Sequence, residues 1–211
     1  MSFANELAEV LPPDLPHRDE VIQKCAQHLE RIEEANKLFN LTRITTPREA
    51  AIKHVADSVI PWKLFAGAKR VLDIGSGAGF PGIPLAIVLP ETHLTLSESI
   101  QKKARFIESA VEALALTNVT VTHQRAEDLL KSDTYDVVTA RAVAPLSRAL
   151  ATFSKAWKPG VRALFYKGPD AEAEIQDAVN EARKRQVRMK IATSYGLPDE
   201  LGTRTIVEIS R

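Results

Sequence analysis

The sequence predicts an α/β fold in which helices cover both faces of a seven-stranded, mostly parallel sheet. From residue 70 onward, short β-rich runs alternate with helical patterns, which is typical of a parallel sheet buried on both sides. One apolar run passes directly into a glycine-rich loop. The last two β-rich runs follow each other without a helix between them, which predicts an antiparallel hairpin at one edge.

The first sixty-odd residues form a helical cap that precedes the sheet. Apolar side chains recur at three- and four-residue spacing from residue 16 to residue 39, which predicts an amphipathic helix. A second helix is expected over residues 48–59, because Pro61 follows it. We therefore divide the chain into an N-terminal helical extension, residues 1–66, and a sheet domain, residues 67–211.

The sheet domain is predicted to contain seven strands and four helices. The predicted strands span residues 70–74, 93–97, 119–123, 136–140, 161–166, 187–195 and 205–209. The predicted helices span residues 83–89, 101–116, 146–157 and 171–185.

Composition limits the classes of function. The 211 residues are 45% hydrophobic and carry a net charge of +1, so binding to a nucleic acid requires a local basic patch. The N-terminus lacks the pattern of a signal peptide, and the longest apolar run is far shorter than the ~20 residues that span a bilayer. Cys25 is the only cysteine, which excludes an internal disulfide and a cysteine-based metal cluster. We expect a cytoplasmic monomer that contacts no membrane and holds no metal.

The glycine-rich loop carries the main functional signal. Asp73 ends an apolar strand two residues before Gly75, and the glycines follow the spacing G-x-G-x-G. Glycine lets the backbone adopt positive φ and approach a ligand closely, and the helix that follows favours a negative ligand group. A dinucleotide site has the spacing G-x-G-x-x-G instead. The pattern indicates a Rossmann-like class I methyltransferase that uses S-adenosylmethionine.

Ligands of a doubly wound sheet bind at the carboxyl ends of its strands, and this rule selects the cofactor residues. After the first strand, Asp73, Gly75, Gly77 and Gly79 are expected to hold the methionine and ribose portions. After the second strand, the carboxylate of Glu98 is expected to accept hydrogen bonds from the ribose hydroxyls.

The end of the third strand supplies the predicted adenine contacts. Ala126 and Glu127 offer backbone and carboxylate acceptors for the adenine amino group. Glu127 is equally suited to cap a short helix that follows.

The fourth and fifth strands supply the predicted acceptor site, at Arg141-Ala142-Val143 and Lys167-Gly168. The fourth strand lacks the Asn/Asp-Pro-Pro-Tyr turn of exocyclic amine methyltransferases, and Cys25 lies far from the position of a pyrimidine nucleophile. Guanine N7 carries its own lone pair, so placement is most of its catalysis. Arg141 can donate to guanine O6, hold a phosphate, pair with a carboxylate such as Asp73 or bind the cofactor carboxylate.

Several further basic residues are expected to surround the site or to lie apart from it. A positive rim suited to phosphates is predicted from Lys102, Lys103, Arg105 and Arg125. The basic cluster at residues 183–185 is expected near the far edge of the sheet, as a solvated helix end or as a contact for the RNA backbone.

These residues resemble the RsmG family, also called glucose-inhibited division protein B. The resemblance runs from about residue 20 to the C-terminus, and the extension of the loop through Phe80 to Pro84 is its most discriminating part. It is carried by Asn40-Leu41-Thr42, His54 with Asp57-Ser58, residues 72–85, residues 102–106, Arg141-Ala142 and Lys167-Gly168.

The family resemblance implies methyl transfer from S-adenosylmethionine to N7 of one guanine in 16S rRNA, with free 16S rRNA or the small ribosomal subunit as partner. From their positions after the fourth and fifth strands, Arg141 and Lys167 are the expected catalytic residues. The chain departs from the family at Glu98, where aspartate is usual. Family cofactor positions correspond to Gly75, Phe80, Ala126, Glu127 and Arg141.

Three alternatives remain at this point. A nicotinamide-dependent oxidoreductase is disfavoured by the glycine spacing. A class I methyltransferase that acts on another RNA has the same cofactor site. A non-catalytic ribosome assembly factor with a methyltransferase-like shell would bind RNA equally well after replacement of Gly75.

Overall fold

The computed structural model describes residues 2–44, 46–141, 144–153 and 158–211. The N-terminal part is helical: α1 spans Phe3–Val10, α2 Arg18–Asn36 and α3 Pro47–Ala50, and a π-helical segment at Ala51–Ala56 leads into α4 at Asp57–Val59. The sequence prediction missed α1. Its buried Phe3, Leu7 and Val10 have the spacing of an amphipathic helix.

The sheet contains seven strands in the order β3-β2-β1-β4-β5-β7-β6, and β7 is antiparallel to both of its neighbours. This arrangement confirms the predicted class and the antiparallel hairpin at one edge. The strands are β1 Arg70–Ile74, β2 His93–Ser97, β3 Val119–Thr122, β4 Val137–Arg141, β5 Arg162–Lys167, β6 Arg188–Gly196 and β7 Thr203–Ser210.

In the described part of the chain, five further α-helices connect the strands, one more than predicted. They are α5 Gly82–Val88, α6 Gln101–Ala113, α7 Ala126–Ser132, α8 Leu146–Phe153 and α9 Ala171–Arg185.

The structure differs from the helix predictions at the end of α6 and at Glu127, and part of the predicted α8 lies outside the described residues. The prediction that α6 continues to Leu116 is wrong, because Ala115 has a φ of +50° and lies outside the helical region. Glu127 lies in the first turn of the unpredicted α7, whose N-cap residue is Arg125. The predicted end of α8, residues 154–157, lies outside the described residues.

Alternate strand residues supply two hydrophobic cores. Val137 of β4 packs in a core with Leu29 of α2 and Ile52, so the N-terminal helices and α5 cover one face of the sheet. The neighbouring Val138 packs in the second core with Leu150 of α8. Within the described residues, the structure contains no helix long and apolar enough to span a membrane.

Candidate active site

The glycine-rich loop leaves β1 at the carboxyl edge of the sheet. Gly75 and Gly77 have φ values of +68° and +62°, which favour glycine. The N–H groups of Gly75 and Ser76 donate to the carbonyl of Ser97, at 2.8 and 3.2 Å, and so fix the loop to β2. A Cβ atom on Gly75 would meet nothing within 4 Å, so open space lies beside this backbone.

Asp73 is fully buried beneath the loop. Its Oδ2 accepts a hydrogen bond of 3.0 Å from the N–H of Gly82, where a Cβ would lie only 2.8 Å from the same oxygen. Its Oδ1 has no hydrogen-bond partner among the described residues. Burial raises the pKa of Asp73 to about 6, although Ser76, Gly82 and Arg141 favour the ionised form. A buried acceptor of this kind suits a cationic ligand group.

A cavity of about 350 Å³ lies at the ends of β1, β2 and β3. It brings together three of the predicted cofactor residues, Gly75, Ala126 and Glu127. It is lined by Ile74, Gly75, Ser97, Ser99, Gln124, Arg125, Ala126, Glu127 and Phe153.

Glu98 supports the backbone on both sides of its own strand end. One carboxylate oxygen accepts from the N–H of Gly77 at 2.9 Å, and the other accepts from the N–H of Ile100 at 2.8 Å. The residue is 6% exposed. The glutamate therefore holds the glycine loop in this structure, and its contact with ribose stays a prediction.

Phe80, at the end of the loop, packs against two histidines of the N-terminal helices. The ring of His54 stacks on it with a centroid separation of 4.6 Å and an interplanar angle of 4°, and His28 lies 5.1 Å away. His28 Nε2 is 2.8 Å from the carbonyl of Ala78, so Nε2 carries the proton. Burial lowers the pKa values of His28 and His54 to about 4 and about 3. Both rings are neutral near pH 7.

Arg141, the last residue of β4, is held by the π-helical region and not by Asp73. Its NH1 donates to the carbonyl of Lys53 at 2.7 Å and lies 3.3 Å from Oδ2 of Asp57. The guanidinium carbon is 5.4 Å from the centroid of the Phe80 ring. The structure therefore shows the expected pairing of Arg141 with a carboxylate, but the partner is Asp57 and not the suggested Asp73.

A second cavity, of about 450 Å³, lies at the ends of β4 and β5. Lys167 is 5% exposed there, and its Nζ lies 2.8 Å from Oε2 of Glu174 and 3.0 Å from the carbonyl of Ala144. The lining thus combines four cationic side chains, Lys53, Arg141, Lys167 and Arg204, with two carboxylates. It is formed by Ile44, Lys53, His54, Asp57, Arg141, Tyr166, Lys167, Gly168, Glu174, Leu197, Leu201 and Arg204.

The structure places some of the predicted site residues in the two cavities and others outside both, where Asp73, Gly77 and Glu98 lie. Gly75, Ala126 and Glu127 line the first cavity, and Arg141 and Lys167 line the second. Gly79 and Phe80 contact the N-terminal helices instead: a Cβ on Gly79 would lie 3.2 Å from His28 Nε2. The predicted acceptor residues Ala142 and Val143 lie outside the described residues.

Sequence reasoning missed or undervalued four residues of this region. His28 lies on the apolar side of α2, and Asp57 lies three residues after His54. Arg204 and Tyr195 come from the C-terminal hairpin, and no local pattern marks them. In the described part of the chain, no group of three or more histidine, cysteine, aspartate or glutamate side chains is arranged to bind a metal.

The sequence is similar to those of known proteins along nearly its whole length. The family model described as "GidB: rRNA small subunit methyltransferase G" matches residues 21–201. A protein of Solibacter usitatus named ribosomal RNA small subunit methyltransferase G is 65% identical over 99% of this chain and 100% of its own length. A protein of the same name from Desulfitobacterium hafniense is 37% identical over 90% of this chain and 81% of its own.

Solved structures share the fold at low sequence identity. The precorrin-6y C5,15-methyltransferase of Geobacter metallireducens is 14% identical, with a TM-score of 0.55 over 73% of this chain and 87% of its own. A mutant of MtNAS in complex with S-adenosylmethionine is 15% identical, with a TM-score of 0.55 over 99% and 71%. These likenesses confirm the class I methyltransferase fold.

Proposed function

The chain belongs to the GidB family of small-subunit rRNA methyltransferases, and from this premise we propose that it transfers a methyl group from S-adenosylmethionine to N7 of one guanine in 16S rRNA. The observation that carries the proposal is the pair of cavities at the carboxyl ends of adjacent strands. Ile74 of the first cavity pairs across β1 and β4 with Ala140, and the next residue, Arg141, lines the second. The two cavities therefore lie on either side of the point between β1 and β4 where the strand order reverses. Doubly wound folds bind their ligands at this point.

The first cavity fits the proposed cofactor. The open space beside Gly75 admits a ligand that a Cβ would obstruct. Asp73 does not line this cavity, but its unpartnered Oδ1, buried beneath the same loop, is an acceptor for an ammonium group. Ala126 and Glu127 line the cavity and are the proposed contacts of the adenine, and Gly77 stays in place because Glu98 holds its N–H. When bound, S-adenosylmethionine supplies an electrophilic methyl group on a sulfonium.

The second cavity fits the guanine. N7 needs no base, since it carries a lone pair and loses no proton, so the residues here have to hold the ring in line with the methyl group. Arg141 and Lys167 are donors for the neighbouring O6. Methylation at N7 makes the base cationic, whereas Asp57 and Glu174 are already paired with Arg204 and Lys167.

The remaining expectations form part of the same proposal. Residues 1–66 act as a helical extension that braces the cofactor loop through His28 and His54, and residues 67–211 act as the methyltransferase domain. The protein works as a cytoplasmic monomer on free 16S rRNA or the assembled small subunit. Sedimentation equilibrium tests the monomer, and a comparison of naked 16S rRNA with small subunits tests the substrate.

The decisive experiment incubates the purified protein with labelled S-adenosylmethionine and small subunits from cells that lack its gene. The product is then mapped by chemical cleavage at 7-methylguanine. Label at a single N7-methylated guanine of 16S rRNA is the expected result. Absence of transfer to subunits, free rRNA and other RNA, despite cofactor binding, would overturn the proposal in favour of a non-catalytic factor.

A further inference from the structure

A groove of about 650 Å³ separates the end of α2 from the start of α6, outside both cavities of the candidate site. We call it the α2–α6 groove. Asn36 shapes one wall, because its Oδ1 accepts from the N–H groups of Leu41 and Thr42 at 2.8 and 3.1 Å, and its Nδ2 donates to the carbonyl of Thr42 at 3.0 Å. The loop after α2 is thereby held in one conformation. The groove is lined by Asn36, Asn40, Leu41, Thr42, Arg43 and Lys103.

The α2–α6 groove is cationic. Arg43 and Lys103 line it, and Lys102 lies beside it with Nζ 4.0 Å from the centroid of the Phe39 ring. Among the described residues, no carboxylate lines the groove. Within the described part of the chain, neither Arg43 nor Lys103 has an ion-pair partner. Unpaired cations gathered on one surface attract an anionic partner.

Two exposed apolar side chains flank the same surface. Leu38 is 83% exposed and Ile100 is 52% exposed, the two highest values among the large hydrophobic residues described. Leu38 precedes the Phe39 that Lys102 covers, and Ile100 precedes α6. Alternation of unpaired cations with exposed apolar side chains suits a single nucleic-acid strand, which presents phosphates and unstacked bases.

The groove is continuous with the acceptor side of the candidate site. Thr42 lines the groove, and its Oγ1 lies 3.0 Å from Nε2 of His54, which lines the second cavity. Ile44, two residues further along the chain, lines the second cavity as well. The segment from Thr42 to Ile44 thus forms the wall between the α2–α6 groove and the second cavity.

We propose that the α2–α6 groove binds the phosphate backbone of the rRNA strand whose guanine enters the second cavity. The inference rests on the proposed function and names the surface that holds its substrate. Arg43 and Lys103 contact phosphates, Asn40 contacts phosphate or ribose oxygens, and Leu38 and Ile100 contact unstacked bases. The partner is a single RNA strand, because the site needs a base that has left its stack.

The test measures binding of the full-length protein to small subunits from cells lacking its gene and to naked 16S rRNA. The groove variant carries Arg43→Glu and Lys103→Glu. The matched control carries Arg183→Glu and Lys184→Glu, an equal change of charge at exposed positions on α9. For the groove variant we expect at least a tenfold rise in Kd at ~0.1 M salt, and a salt dependence smaller by about 1.4 in log–log slope, since each single-strand phosphate contact contributes about 0.7.

Cofactor affinity, measured by calorimetry, and the melting temperature should stay unchanged in both variants. If charge reversal impairs folding, a second groove variant, Arg43→Gln with Lys103→Gln, takes its place. It should show about half the loss of RNA affinity, because it changes the charge by half as much. Equal losses in the groove and control variants would overturn the inference, as would an effect on subunits without an effect on naked rRNA, which would indicate a ribosomal protein as partner.

The readout separates this inference from the proposed function. A wild-type protein that binds rRNA through the groove without methylating N7 would leave the inference intact and contradict the function. If the groove variant binds rRNA normally and the wild-type protein methylates N7, the result would contradict the inference and leave the proposed function intact.

Discussion

Asp57 and Arg204 form a bidentate ion pair in which Nε and NH2 of the arginine each lie 2.8 Å from one carboxylate oxygen. Asp57 is completely buried, and the hydroxyl of Tyr195 donates to its backbone carbonyl at 3.0 Å. Because Arg141 also lies 3.3 Å from this carboxylate, one residue of the helical extension orders groups from β4, β6 and β7. The second cavity therefore depends on the negative charge of Asp57, which the N-terminal helical extension supplies.

The first prediction concerns that charge. Asp57→Asn keeps the size of the side chain but leaves two partly buried guanidinium groups without their fully buried anion, so we expect the free energy of unfolding to fall by about 3 kcal/mol. Urea denaturation measures the change. Asp128→Asn is the matched control, since its pair with Lys131 is exposed and should contribute less than about 1 kcal/mol. A similar small loss at Asp57 would show that the ion pair is dispensable.

The sequence predicts the sheet well because its signals are local. Strand β1 and the glycine loop lie within twelve consecutive residues, and alternation of apolar runs marks the other strands. The partner of Arg141 was not predictable in this way, because Asp57 lies 84 positions away and Arg204 lies on the last strand. His28 gave no separate signal either, because a buried histidine on an apolar helix face looks like any core residue.

The second prediction concerns Asp73 and the cofactor. If its carboxylate accepts from the cofactor ammonium, protonation below its pKa of about 6 weakens binding, so the Kd should rise as pH falls from 7 to 5, by up to about tenfold per unit below pH 6. The groups that act on Asp73 are Ser76, the N–H of Gly82, Arg141 and Glu98. Calorimetry with S-adenosylmethionine measures the Kd at each pH. Asp73→Asn should bind weakly at every pH, and a persistent slope in that variant would assign the titration to another group.

The third prediction concerns stability in acid. His28 and His54 have pKa values lowered to about 4 and about 3 in the folded protein, below the ordinary 6.5, so their contribution is present above pH 6.5 and is lost as pH falls. Each contributes a slope of about 1.4 kcal/mol per pH unit below 6.5, because the unfolded chain takes up the proton first. Asp73 opposes one of them below pH 6, because its raised pKa lets the folded protein bind a proton that the unfolded chain lacks.

The measurement is the free energy of unfolding by urea at pH 7, 6.5, 6 and 5.5. Whatever its effect on absolute stability, His28→Gln should remove the contribution of one proton to the pH dependence of the free energy of unfolding, about 1.4 kcal/mol per pH unit below pH 6.5. His123→Gln, at an exposed position, serves as the control for the loss of a histidine side chain. An unchanged slope in the His28 variant would mean that this imidazole is free to protonate in the folded state.

The last prediction separates the acceptor side of the site from the cofactor side. Arg141 and Lys167 line the second cavity and not the first, so Arg141→Ala and Lys167→Met should lower kcat for methyl transfer to small subunits by at least ~100-fold and change the Kd for S-adenosylmethionine by less than about threefold. Arg141→Ala should leave the fold intact, because Arg204 still neutralises Asp57. Lys131→Met, at an exposed position on α7, is the control for loss of a lysine charge. Near-normal turnover in the Arg141 variant would remove this residue from the site, whereas a loss of cofactor affinity that matches the loss of kcat would show that it binds the cofactor carboxylate and not the guanine.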